Sequence, residues 1–220
     1  MVNFFGIAIP NLQPYSDPQY FVYLLIAVMP LAIGLYYGKR FKIYETIFSI
    51  VFIVLMFTND KLGQGVALIA YIIWQLLVVG AYHQYRIRKN NSLIFYLATF
   101  LSIVPLSIVK IMPAVDHGAQ SIIGFLGISY LTFRAVGMIM EMRDGVQKDF
   151  RWWPFLRFMV FMPTISSGPI DRYRRFEKDY DHVPDRDKYV TMVGKAVQYI
   201  FLGFLYKFIL AYFLGTIMLP

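Results

Sequence analysis

Residues 66–81 read VALIAYIIWQLLVVGA and contain no charged side chain. Three further runs, at 20–37, 41–57 and 93–111, are also largely apolar. A helix needs about 20 apolar residues to cross a hydrocarbon core of ~30 Å, and each run is close to that length. A transmembrane β-barrel would instead show alternating segments of about ten residues. The sequence therefore predicts an all-α fold, a polytopic transmembrane helical protein.

The composition agrees with this fold class. Hydrophobic residues make up 58% of the 220 positions, against about 45–50% in soluble domains. The chain has no cysteine, which excludes disulfides and thiolate chemistry. Its net charge of +8 comes from short basic clusters between apolar runs, a pattern typical of cytoplasmic loops and not of a nucleic-acid-binding face. We expect the lipid bilayer as a partner, and no nucleic acid.

The basic clusters also predict a topology. Residues 1–20 contain no Lys or Arg, whereas Lys39, Arg40 and Lys42 follow the first apolar run. Because positive charge favours the cytoplasmic side, we expect a multi-pass protein of the cell membrane with its N-terminus outside. The predicted spans are 20–38, 42–57, 65–82, 93–112, 121–140 and 194–217.

The stretch FMPTISSGPIDRYRRF at 161–176 interrupts this pattern. If residues 152–169 simply crossed the membrane, the most basic segment of the chain would lie outside. The region also contains Pro154, Pro163 and Pro169, and proline ends or kinks a helix. We therefore predict a re-entrant element at about 152–170 that enters and leaves on the cytoplasmic side. Irregular backbone at membrane depth must be buried in protein or face a wet cavity, so this element predicts an internal cavity.

The fifth predicted span carries ionisable groups on one helical face. The residues that share this face are Gly127, Tyr130, Arg134, Gly137 and Glu141. The glycines are expected to let another helix approach, and an unsatisfied charge within a span costs at least ~2.5 kcal/mol. Arg134 is expected either to turn inward, paired with a carboxylate or lining an aqueous path, or to snorkel to the cytoplasmic surface.

The chain offers no recognisable catalytic or metal-binding constellation. His83, His117 and His182 are its histidines. None lies in an apolar run beside the break or has a carboxylate at triad-like spacing, so each is interpreted as solvated or interfacial. The sequence contains no P-loop, dinucleotide fingerprint, nucleophile elbow or zinc-protease motif. We predict no catalytic residue and no metal site within these 220 positions.

Three stretches of the chain are GISYLTFRAV (127–136), FMPTISSGPIDRYRRF (161–176) and GKAVQYIFLGFLYKFILA (194–211). In this order they resemble signature sequence blocks of the membrane-bound O-acyltransferase family. The N-terminal part resembles the branch of that family that acts in teichoic-acid D-alanylation, in NLQPYSDPQYF (11–21), IGLYYGKRF (33–41) and VLMFTND (54–60). The resemblance runs nearly from end to end of the chain.

The resemblance implies a ring of slanted helices around a central tunnel, with residues 1–220 as the N-terminal part of a single membrane domain. It implies that D-alanine arrives as a phosphopantetheine thioester on a D-alanyl carrier protein, with no bound cofactor. The acceptor would be lipoteichoic acid or a relay membrane protein. The residues expected to line the tunnel are Ser129, Tyr130, Arg134, Pro163, Ser167, Gly168 and Pro169. A basic rim of Arg172, Arg174 and Arg175 would bind the carrier, although the same residues also suit a simple anchor to anionic lipid.

One feature departs from the family. Its members are much longer, and their catalytic histidine lies downstream of these blocks, where none of the three histidines of this chain falls. We therefore expect residues 1–220 to be the N-terminal part of an acyltransferase that is not competent alone. Two alternatives stay open: a transporter or flippase, which would show an inverted repeat, and a non-catalytic membrane scaffold.

Overall fold

The computed structural model describes residues 2–4, 7–9, 18–57, 61–115, 125, 127–165 and 171–218. A short antiparallel hairpin comes first, with β1 (Val2–Phe4) paired to β2 (Ile7–Ile9). The other elements are helices: α1 (Pro18–Tyr36), α2 (Lys42–Met56), α3 (Leu62–Arg88), α4 (Ser92–Val115), α5 (Ile128–Arg143), α6 (Trp152–Met159), a 3-10 turn (Met162–Thr164), α7 (Tyr173–Asp181) and α8 (Arg186–Phe204), which continues as the π-helical segments Leu205–Leu210 and Phe213–Met218. The predominantly helical fold that the sequence predicts is confirmed.

Three of the described helices are long and apolar enough to cross a membrane: Leu62–Arg88, Ser92–Met112 and Arg186–Thr216. Tyr20–Tyr36 is a shorter apolar helix. α2 and α5 have 15 and 16 residues, fewer than the about 20 that a straight crossing requires. That these shorter helices cross the membrane, and that the N-terminus lies outside, remain predictions.

The bounds of four helices differ from those expected. α3 runs on to Arg88, past the predicted end at 82, and α8 begins at Arg186, before the predicted start at 194. The sequence predicts a span from residue 121, but Phe125 is not helical and Gly127 has a φ of 97°. Since a glycine adopts this left-handed conformation without steric cost, it forms the turn that leads into α5, which runs on to Arg143. α4 continues past Pro113, where the sequence predicts its end, as it also continues through Pro105, because a proline can kink a helix without ending it.

The contacts divide the chain into two units, Met1–Ala27 with Lys42–Asp181 and Val28–Phe41 with His182–Pro220. In the second unit the Tyr189 hydroxyl donates to the Ala32 carbonyl at 2.9 Å. The Arg186 guanidinium lies 4.2 Å from the centre of the Tyr36 ring. None of the residues of α8 is buried, so its apolar surface is exposed in this chain.

In the first unit α3, α4 and α5 pack against one another, and α6 packs against α3, α5 and α7. The residues that are wholly buried at these contacts include Val79, Leu131, Ala135, Ile139, Phe155 and Met159. Gly80 of α3 permits a close approach by Trp152, since a Cβ at that glycine would lie 2.3 Å from the indole ring. This packing sets the position of α6, which ends at the predicted break.

Candidate functional site

The helical chain breaks within the predicted 152–170 element. α6 ends at Met159, and the 3-10 turn begins at Met162. Pro154 lies in the first turn of α6, where a missing backbone N–H costs little. The last carbonyls of a helix have no donor within the helix and need partners elsewhere. Whether this element re-enters the membrane remains a prediction, and residues 166–170 lie outside the described part of the chain.

Arg134 of α5 provides the donors that this helix end needs. Its Nη1 donates to the carbonyls of Phe158 and Met159 at 2.8 and 3.0 Å. Its Nη2 donates to the carbonyl of Thr164 at 2.5 Å and also contacts the hydroxyl of that residue. Arg134 is only 3% exposed, and its guanidinium lies 5.3 Å from the centre of the Phe158 ring. One buried cation therefore joins α5 to both sides of the break.

This geometry separates the two expectations for Arg134. The side chain turns inward and does not snorkel to the surface. The expected pairing with a carboxylate is not found, because no ion pair among the described residues includes Arg134. A planar guanidinium with five donors can bond several carbonyls at once, and their oxygens replace the water lost on burial.

α7 has a buried aromatic face and an exposed basic face. Tyr173 is buried, and its ring lies edge-on to those of Phe155 and Phe158, at centroid distances of 5.9 and 5.7 Å. Asp171 Oδ1 accepts a hydrogen bond from the backbone N–H of Arg172 at 2.8 Å. The same oxygen pairs with the Nε of Arg175, one helical turn later, at 2.7 Å. The basic residues of the predicted rim, all exposed, are Arg172, Arg174 and Arg175.

Two ion pairs join α7 to other parts of the first unit. Lys42 of α2 pairs with Asp181, and Arg151, just before α6, pairs with Glu177. The bond from Lys42 holds the pKa of Asp181 below its ordinary value. Burial raises the pKa of the Tyr173 hydroxyl above its ordinary value, and the negative charge of Glu177 acts in the same direction. Tyr173 therefore stays protonated and donates to Glu177 at 3.2 Å.

A buried polar network joins α3, α4 and α5. Gln75 Nε2 donates to the Tyr71 hydroxyl at 2.7 Å and to the Ser102 carbonyl at 2.9 Å, while the Ser102 hydroxyl donates to Gln75 Oε1 at 2.7 Å. The Tyr71 and Thr132 hydroxyls are 2.5 Å apart, and Thr132 donates to the Ile128 carbonyl at 2.8 Å. This network was not predicted from the sequence. The one signal for it is a glutamine within an apolar run, which implies a polar partner but does not identify it.

The other predicted tunnel residues that the structure describes lie in α5 and in the 3-10 turn. Ser129 and Tyr130 are half-buried in the first turn of α5, and Pro163 is exposed in the 3-10 turn. Ser167, Gly168 and Pro169 lie outside the described residues. Their role in a tunnel therefore remains a prediction.

The glycine face of α5 is expected to meet another helix. A Cβ at Gly137 would meet no described atom within 4 Å, so none of the described helices approaches there, and a helix contact at this glycine remains a prediction. α5 packs against the described helices through residues such as Leu131, Ala135 and Met138, which are at most 1% exposed. Arg134 belongs to both faces.

A polar groove of about 950 Å³ lies beside the end of α3 and the loop after α5. It includes Arg86, Lys148 and His83, whose Nε2 is 2.9 Å from the Lys148 carbonyl. His182 is exposed, and His117 is not among the described residues. Within the described ranges, no group of three or more His, Asp or Glu side chains could hold a metal ion.

A comparison with protein-family models gives no match. Three curated proteins named teichoic acid D-alanyltransferase are similar to the chain. The protein of Lacticaseibacillus rhamnosus is 57% identical over 213 residues, which are 96% of this chain and 52% of that protein. The protein of Streptococcus thermophilus is 54% identical over 96% of this chain and 51% of its own length.

The protein of Bacillus subtilis is 42% identical over 211 residues, 93% of this chain and 53% of that protein. The chain therefore spans about half the length of the curated relatives it matches. The matched part includes nearly every residue discussed above, since it covers at least 93% of the chain.

Proposed function

We propose that this protein acts in the D-alanylation of teichoic acids as a membrane-bound O-acyltransferase. The observation that carries the proposal is the identity of 42–57% with three proteins named teichoic acid D-alanyltransferase. Since the chain spans about half the length of these relatives, we assign residues 1–220 to the N-terminal part of one membrane domain.

The proposed reaction moves D-alanine from a thioester to an ester. The donor is a phosphopantetheine thioester on an acidic carrier protein at the cytoplasmic face. An acceptor hydroxyl, of lipoteichoic acid or of a relay membrane protein, loses its proton to a general base and attacks the thioester carbonyl. The C–O bond forms, the C–S bond breaks, and the thiolate of the carrier leaves and takes up a proton. We assign the general base to the rest of the domain and not to His83 or His182.

We assign to Arg134 a positioning role. Irregular backbone beside a tunnel must keep its carbonyls satisfied, and Arg134 bonds three of them across the break. The shape of the tunnel wall would then depend on this side chain, although it would touch neither the thioester nor the acceptor.

We assign carrier capture to the basic face of α7. Arg172 and Arg174 are exposed and take part in none of the ion pairs among the described residues, whereas Arg175 pairs with Asp171. Complementary charge speeds the encounter of an acidic protein with its basic partner, and this effect becomes weaker as the salt concentration rises. The same surface could instead hold anionic lipid, so an experiment must separate the two roles.

Charge reversal separates them. Changing Arg172, Arg174 and Arg175 to Glu in the whole protein should weaken binding of the acidic carrier in detergent, where no bilayer is present, and abolish its salt dependence. The matched control changes three exposed cations elsewhere, Lys39, Arg88 and Lys89, to Glu. Equal carrier affinity in both triple variants would leave only the lipid-anchor role.

The function itself is tested in cells. Deleting the gene should remove D-alanyl esters from teichoic acid, measured as D-alanine released from isolated cell walls and lipoteichoic acid by mild base. The intact gene should restore them. Unchanged ester content after deletion, in a strain with no second homologous gene, would contradict the proposal.

A further inference from the structure

An apolar groove of about 500 Å³ follows α2 and α3 and ends at α6. Its lining includes the buried side chains of Phe57, Leu68 and Ile72 and the exposed side chains of Val54 and Ile69. This volume is within the range of about 300–1,000 Å³ of small-molecule sites. The groove is open to the outside of the first unit, so its occupant could enter sideways.

The groove has the length of one membrane leaflet. It extends along α2 from Thr46 to Phe57, which at 1.5 Å per residue is about 16 Å. One leaflet contributes half of a hydrocarbon core of ~30 Å. The Thr46 end lies next to Lys42, in the basic cluster that the topology places at the cytoplasmic side. An extended acyl chain of the inner leaflet would therefore fit along the groove.

A cation lies at that end. Arg157 lines the groove and also a polar cavity of about 210 Å³ that includes Lys42 and Arg151. Its guanidinium lies 4.9 Å from the centre of the Tyr180 ring and 5.9 Å from that of Trp153. Its Nε is buried and has no hydrogen-bond partner among the described atoms. The apolar groove and the polar cavity therefore meet at one guanidinium.

Both carboxylates that line this polar cavity are paired. Asp181 pairs with Lys42, and Glu177 pairs with Arg151. No ion pair in the described part of the chain includes Arg157. Three cations and two carboxylates line the cavity, and the buried Glu45 lies with Arg157 along a smaller cavity on its α2 side. An anionic group in the polar cavity would pair with the guanidinium of Arg157 through charge-assisted hydrogen bonds.

We infer that this groove binds one anionic phospholipid of the inner leaflet, with an acyl chain along α2 and α3 and the phosphate at Arg157. The apolar groove favours a ligand with an acyl chain, and the guanidinium at its end favours one with an anionic group, so together they favour an amphipathic anion. This site is separate from acyl transfer, because it depends on the membrane orientation of α2 and not on the proposed reaction.

The test is native mass spectrometry of the whole protein, stripped of lipid in detergent and then mixed with phosphatidylglycerol. We expect one phosphatidylglycerol to stay bound to the wild-type protein and to be lost at least about tenfold more readily from Arg157→Gln, as a charge-assisted hydrogen bond is worth about 1.5–3 kcal/mol. Arg157→Lys should bind at an intermediate level. Arg88→Gln, which removes an exposed cation outside the groove, should bind as the wild type does.

A second measurement does not depend on the folding of a variant. Phosphatidylglycerol with a photoreactive diazirine in its acyl chain should label wild-type peptides that line the groove, with most adducts between residues 50 and 73. Ile69→Trp should reduce this labelling, because the larger ring fills the groove. Equal phosphatidylglycerol binding by Arg157→Gln and wild type would overturn the inference. So would labelling spread evenly over α4, or a groove protected from label by a second copy or by another part of the polypeptide.

Discussion

Arg134 and Phe158 are joined by two interactions. Nη1 donates a hydrogen bond of 2.8 Å to the Phe158 carbonyl, and the guanidinium carbon makes a cation–π contact 5.3 Å from the centre of the Phe158 ring. They are 24 residues apart and belong to α5 and α6. Together with the bonds to Met159 and Thr164, this contact lets α6 end in a buried place without leaving its carbonyls unpaired.

Removing the guanidinium should therefore destabilise the protein strongly. In Arg134→Leu, two buried carbonyls and the part-buried one of Thr164 lose their donor, and each loss of a buried partner costs about 1–3 kcal/mol. We expect the apparent melting temperature in detergent to fall by about 6 °C or more, because 1 kcal/mol corresponds to about 2–4 °C in a protein of this size. Arg174→Leu, at an exposed position of α7, is the control and should change it little. Equal melting temperatures for the two variants would contradict the role assigned to Arg134.

The network around Gln75 should behave as a coupled unit. Gln75→Leu and Ser102→Ala each leave a buried polar partner unsatisfied and should cost about 1–3 kcal/mol. The double variant should cost less than the sum, with a coupling of about 0.5–3 kcal/mol. Thermal unfolding of the wild type, the two single variants and the double variant gives this double-mutant cycle. Ser107→Ala, which like Ser102→Ala lies in α4, is the control. Strict additivity would show that the two residues do not depend on each other.

Two glycines should respond oppositely to alanine. At Gly137 a Cβ meets no described atom within 4 Å, so Gly137→Ala should stabilise the helix by about 0.5–1 kcal/mol. At Gly80 the new methyl group meets the indole of Trp152 at 2.3 Å, so the ring must move and the gain should be lost or reversed. In a Trp152→Ala background the two alanine variants should have similar effects. A persisting difference would place the conflict elsewhere.

The pair between Lys42 and Asp181 should give a small stabilisation that depends on pH. The folded-state pKa of Asp181 is lowered from 3.8 by the bond from Lys42. Its stabilisation is therefore present above 3.8 and disappears as the pH falls through the folded-state value. Since both side chains are partly exposed, Asp181→Asn should cost at most about 1 kcal/mol at pH 7.

Unfolding curves of the wild type and Asp181→Asn should converge below pH 3.8. Asp149→Asn, at an exposed position in the loop before α6, is the control and should show no such convergence. If the cost of Asp181→Asn stayed the same at all pH values, the ion pair would not be its cause.

The positions of the helices followed from the lengths of the apolar runs. The run at 66–81 lies within α3, which is longer because the polar residues up to Arg88 continue the helix. Proline content and charge predicted an interrupted element at about 152–170, and within it α6 ends at Met159 and the 3-10 turn begins at Met162. Such features depend on local composition, which a sequence shows directly.

The partners of buried groups could not be found in the same way. Arg134 is satisfied by backbone carbonyls 24–30 residues away, and a backbone carbonyl leaves no trace in residue type. Gln75 finds Ser102 on the next helix, and many registers of α3 against α4 would have been compatible with the sequence. The start of α5 depended on a φ value at Gly127 that an apolar run does not reveal.

The central claim is tested most directly by acyl transfer in a reconstituted system. The whole protein would be placed in liposomes with its acceptor and supplied with radiolabelled D-alanine as a thioester on its acidic carrier. We predict that label leaves the carrier and appears as an ester on the acceptor only when the protein is present, and that Arg134→Leu lowers this transfer at equal amounts of folded protein. Label that remains on the carrier in the presence of the intact protein and acceptor would contradict the account.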